Sequence, residues 1–139
     1  MPSSIDLILI GALLLALITV ESGGWFLTRV VRGYAPANAL QVSFFRAGHA
    51  HAAVLIVLSV AILTVVSAAA LDGAWLWIAR LGAPVAAILM PAGFFLSVLG
   101  RDPQRPGRAI LLLWIGAASL AIGLATAGVG LIAAGVAAL

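Results

Sequence analysis

Residues 110–139 read ILLLWIGAASLAIGLATAGVGLIAAGVAAL, and not one of these side chains is charged. A hydrocarbon core about 30 Å thick is crossed by roughly 20 apolar residues of helix, so this run alone is long enough to span a bilayer. The rest of the chain has the same character. Of 139 residues, 65% are hydrophobic and 8% charged, with a mean hydropathy of +1.28, whereas a soluble domain carries about 25% charged residues. A water-facing surface cannot be built from this composition. Four apolar stretches, at about 5–30, 43–70, 75–99 and 109–138, leave only short loops between them. The expected fold is all-α: a four-helix transmembrane bundle forming one integral membrane domain over residues 1–139, with no room for a domain outside the lipid.

The few charges set orientation. Seven Arg and no Lys stand against Asp6, Glu21, Asp72 and Asp102, a net charge of +3, too little for a nucleic-acid surface that must neutralise several phosphates at once. The first break (32–38) and the third (101–108) contain Pro and Gly and hold most of the Arg, so they belong on one side. The second, around Leu71-Asp72-Gly73-Ala74, has no basic residue and is followed by Trp75 and Trp77, an interfacial aromatic pair. The positive-inside rule places the Arg-rich loops in the cytoplasm and both termini outside. Residues 1–21 have an apolar run without a basic leader or an Ala-x-Ala site, and carry Asp6 where a leader would be positive. They read as a retained first span. Ala- and Arg-rich, Lys-free usage fits a high-GC bacterium, hence a multi-pass protein of the bacterial cytoplasmic (inner) membrane. The absence of cysteine excludes disulfides, thiolate metal sites and cysteine nucleophiles.

Span four is rich in small residues, and Ser119, Gly123 and Ala127 share one face, which lets backbones approach closely in lipid. That face predicts packing, either within the bundle or against another subunit. Pro84 and Pro91 lie on one face of span three, where each removes a backbone donor and bends the helix, either beside a cavity or as a kink packed by neighbouring helices. Gly24-Trp25-Phe26-Leu27-Thr28 aligns with Gly93-Phe94-Phe95-Leu96-Ser97 at an offset of 69. A duplicated hairpin or ordinary interfacial aromatics would each account for this.

Ionisable groups inside spans are costly and are either paired or functional. Here they are Glu21, Arg46, His49 and His51. Arg46 and His49 share a face, while His51 lies about 200° from His49, so the two histidines cannot chelate one metal together. Glu21 lies about 12 Å along the helix from Arg29, close to the level of His49. A Glu21–Arg46–His49 cluster could pass a proton, hold a polar head group, or simply lock spans one and two together. Arg80 either snorkels outward or pairs with Asp6 or Asp72.

The His49-Ala50-His51 spacing resembles the helix of haem-copper oxidase subunit I that ligates two haems. That resemblance implies planar groups on opposite faces of span two, with Met90 or a second copy across a twofold axis supplying the missing ligands. Phe45-Arg46-Ala47-Gly48-His49-Ala50-His51 is similar to a segment of small bacterial four-span membrane proteins. The size, four spans and Arg-bearing loops look like the membrane-associated eicosanoid and glutathione metabolism family. Those are trimers that bind glutathione on the cytoplasmic side through an Arg-Ala-x-x-Asn signature followed by Glu. Arg46-Ala47 is kept here, Ala50 stands in place of the Asn, and no Glu follows in that span.

The leading expectation is therefore a small polytopic membrane protein, self-associated in the lipid bilayer, that binds or conducts a polar or protonatable species at Glu21, Arg46, His49 and His51. The alternatives are a haem- or metal-binding redox protein, a glutathione-transferase-like enzyme and a structural subunit of a larger membrane complex. No nucleotide loop, serine nucleophile arrangement or zinc-ligand helix motif is present.

Overall fold

The computed structural model describes residues 1–139 and contains helices and no strands. Helices α1 (Ser4–Val31), α2 (Ala39–Val65), α3 (Gly73–Ser97) and α4 (Ile110–Ala137) follow in order, with a 3₁₀ turn, Val66–Ala68, closing α2. All four helices are long and apolar enough to cross a membrane.

The helix ends are set by local chemistry. At the start of α1, Ser3 and Asp6 form a capping box: the Asp6 N–H donates to Ser3 Oγ (3.3 Å), and the Ser3 N–H donates to Asp6 Oδ2 (2.9 Å). The helix ends on Gly33 at φ +76°. The Gly33 N–H bonds the Val30 carbonyl and the Tyr34 N–H bonds that of Arg29, the paired bonds of a Schellman cap that needs a left-handed residue. Asn38 and Gln41 cap α2 in the same reciprocal way, so this helix begins four residues before the apolar run alone suggests. Its far end tightens into the 3₁₀ turn, short of the expected boundary at 70.

The capping residues of α2 also join the first loop to the third. Asn38 Nδ2 donates to Asp102 Oδ1 (2.7 Å) and to the Pro103 carbonyl (2.8 Å). Gln41 Nε2 donates to the carbonyls of Val98 (3.0 Å) and Gly100 (3.1 Å). The two Arg-bearing loops thus lie at one end of the bundle.

Helix α3 is the centre of the molecule, packed between α2 and α4. Its approach to α4 is backbone on backbone: a methyl at Gly82 would fall 2.5 Å from the Gly123 Cα, and one at Gly93 would fall 2.5 Å from the Leu113 nitrogen. Ser119 Oγ donates to the Gly82 carbonyl at 3.1 Å, and Ala127 packs with Ile62, Val66, Ala79 and Ala83. The Ser119–Gly123–Ala127 face is therefore used inside the bundle. Met90 sits in the middle of the core with Leu55 and Ala86, over Gly116, where an added methyl would meet its Cγ at 2.7 Å.

Helix α1 is the outlier. Asp6 and Val30, one near each end, are its only buried residues. It lies along α2 and reaches α3 through Asp6.

Candidate functional site

Successive residues of a helix are turned by about 100°, and the structure accordingly gives His49 and His51 to different neighbours. The His49 ring lies against the α1 backbone at a pair of glycines. A methyl on Gly23 would sit 3.4 Å from Nδ1, and one on Gly24 3.5 Å from Nε2. These are ordinary contact distances, so the ring packs directly on the glycine backbone and an alanine would fit at either position. Neither nitrogen makes a hydrogen bond within the protein.

His51 points toward α3. Its Nδ1 lies 2.8 Å from the Ala47 carbonyl. A carbonyl only accepts, so Nδ1 carries a proton, which leaves Nε2 as the ring's other hydrogen-bonding atom. The ring packs on Phe94 with centroids 4.9 Å apart.

Aromatic side chains complete the layer. Phe45 stacks on Phe95 and meets Phe26 edge-on, each with centroids 5.6 Å apart, while Phe44 meets Phe94 edge-on at 5.7 Å. Gly48 lies beneath Phe95, where a methyl would be 2.8 Å from the ring. Gly24-Trp25-Phe26 and Gly93-Phe94-Phe95, the segments related by the internal offset, thus meet the same stretch of α2, one on each side. The layer lies toward the end of the bundle where the Arg-bearing loops join.

The other expected site residues lie outside this layer. Glu21 is exposed on α1 and makes no ion pair or hydrogen bond. Arg46 is exposed beside a groove bounded by Ala37, Val42 and Ser43 and is likewise without an ion pair. Met90 is enclosed in the core away from the exterior, and no three His, Cys, Asp or Glu side chains come together.

The one ion pair is at the opposite end. Arg80 Nε donates to Asp6 Oδ1 at 2.6 Å, and Nη2 reaches Asp6 Oδ2 at 3.3 Å and Ser3 Oγ at 3.4 Å. Asp6 is wholly buried and Arg80 nearly so, with the guanidinium carbon 5.1 Å from the centroid of the Trp77 ring. Of the partners open to Arg80 from sequence, the structure selects Asp6, and Asp72 is exposed at the start of α3. Ser3 was legible as the first residue of a Ser-x-x-Asp capping pattern. The Gly23–Gly24 pair had no sequence signal linking it to His49. No protein-family model, curated protein or solved structure matches this chain.

Proposed function

We propose that the protein crosses a bacterial inner membrane four times with its Arg-bearing loops in the cytoplasm, and that it binds or passes a polar, protonatable species at the histidine layer. The observation that carries this reading is His49. It lies about 15 Å along α2 from Ala39, at a depth where ionisable groups are paired or functional, and it has no partner. An imidazole can gain and lose a proton near neutral pH, and the ring faces two glycines, which put no side chain against its nitrogens. His51, through its Nε2, offers a second imidazole nitrogen on the other face. Glu21 and Arg46 are the exposed charges nearest the layer in sequence, and would meet the species on its way in. A chain of this size is proposed to work as a homo-oligomer or within a larger membrane complex.

The test is proton flux in liposomes under an imposed pH gradient. Flux above that of protein-free vesicles, lost in His49→Ala and reduced in Glu21→Gln, supports the proposal. Wild-type flux in both folded variants refutes it.

A second reading has one specific observation in its favour. A ring N–H donated to a backbone carbonyl is the arrangement that orients a ligating imidazole, and His51 has it with Ala47. His51 Nε2 would hold haem together with a donor from a second copy, since Met90 is enclosed in the core. A Soret band lost in His51→Ala supports this; a colourless preparation from haem-replete cells excludes it.

A further inference from the structure

Between Leu9 and Val20, α1 borders a cleft of about 390 Å³ against α2 and α3, within the range of small-molecule sites, roughly 300–1,000 Å³. Ala12 and Ala16 of α1 face Ala52 and Ile56 of α2 across it, with Pro84 and Ala87 of α3 as its floor. Its extent along α1, from Leu9 to Val20, is about 17 Å, on the order of half the hydrocarbon thickness. Thr19 is the one lining residue with a polar side chain, and its hydroxyl already donates to the Ala16 carbonyl at 2.6 Å. A buried water needs two to four polar partners, and the Thr19 hydroxyl oxygen is the one side-chain acceptor here, so the lining suits an apolar occupant. A narrow space parallel to the helices suits a chain rather than a compact ring.

The two ends of the cleft differ chemically. At the Leu9 end, Asp6, Arg80 and Ser3 satisfy one another. Beyond the Val20 end come Gly23 and Gly24, one turn further along α1. Opposite them is His49, on the same face of α2 as Ala52 and Ile56 by its spacing of three and seven residues, with both ring nitrogens unpartnered.

We infer that the cleft holds the tail of a single-chain amphiphile whose small oxygen-bearing head is hydrogen-bonded by His49. A long-chain carboxylic acid and a quinone with one isoprenoid tail share this chemistry. The inference rests on the reading of His49 as a ligand-binding residue and gives its ligand a class.

The experiment is photolabelling of the purified full-length protein with a diazirine-bearing palmitic acid, mapped by peptide mass spectrometry. Labelling of residues 9–20 is expected to saturate and to be displaced by palmitate or by decylubiquinone, and the more effective competitor identifies the source. Ala52→Phe, or Ala12→Phe from the facing wall, abolishes the saturable component. His49→Ala requires about tenfold more competitor, the loss of roughly one hydrogen bond. Labelling that never saturates, or that matches the outward face of α4 around Leu111 and Ile115, overturns the inference. If His49→Ala still abolishes flux in that case, the proposed function stands without it. Saturable labelling indifferent to His49→Ala overturns the head assignment, and with unchanged flux it overturns the proposed function as well.

Discussion

Gly24→Ala separates the stability of the histidine layer from its chemistry. The added methyl falls 3.5 Å from His49 Cε1 and Nε2, a normal contact that displaces nothing. Alanine is favoured over glycine inside a helix by about 0.5–1 kcal/mol, so the variant is expected to fold at least as well as the parent. Its methyl nevertheless crowds Nε2 and is expected to hinder a ligand at that nitrogen, at the cost of about one hydrogen bond, or roughly tenfold in affinity. Gly23→Ala does the same to Nδ1, at 3.4 Å. The protein has 2 histidines, so ¹⁵N-histidine NMR in detergent reports their ring nitrogens with little overlap, and denaturation in mixed micelles reports stability. The expected outcome is unchanged or raised stability, perturbed His49 resonances, unperturbed His51 resonances and weakened flux. A folded Gly24→Ala protein with wild-type flux and ligand binding would refute the argument that the glycines keep His49 open.

Other positions give contrasting outcomes. Gly82→Ala places a methyl 2.5 Å from the Gly123 Cα and must part α3 from α4. It is expected to destabilise by about 1–3 kcal/mol or more, read as a lower denaturation midpoint in the same micelles. Arg80→Gln leaves Asp6 buried without its counter-charge and is expected to cost about 3–5 kcal/mol. Asp6→Asn with Arg80→Gln removes both charges and should recover much of this loss, measured as a double-mutant cycle. Asn38→Ala loses the bonds to Asp102 and Pro103. Trypsin cleavage after Arg101 should then accelerate, while the cores of the helices stay resistant. Gly33→Ala puts a Cβ at φ +76° and is expected to cost about 1–2 kcal/mol, seen in the denaturation midpoint.

The parts of this structure that were legible in the sequence are those encoded along a single helix. Four long apolar runs dictate four helices. The turn per residue puts His49 and His51 on opposite faces, and small residues at 119, 123 and 127 form a packing stripe. The start of α2 was legible too, but in Asn38-x-x-Gln41 rather than in hydropathy, because a polar cap begins a helix before its apolar residues do. What could not be read is the angular setting of one helix against the next. Counting residues gives depth, so Glu21 and His49 could be put near one level. It gives no azimuth, and Glu21 stands exposed while two glycines further along α1 receive the imidazole. For the same reason the partner of Arg80 stayed open between Asp6 and Asp72 until α1 could be placed beside α3.

The Asp6–Arg80 bond also has a consequence for biosynthesis. The two residues are 74 apart in the chain, and ribosomes add about 5–20 residues per second. In a membrane, α1 would therefore carry a carboxylate with no counter-charge for about 4–15 s before Arg80 is made. Until then the Ser3 hydroxyl and N–H are the partners within its own turn. The capping box is thus expected to serve the nascent chain as well as the finished helix. Loss of Ser3 should show first as poorer insertion of α1, ahead of any loss in the stability of the completed bundle.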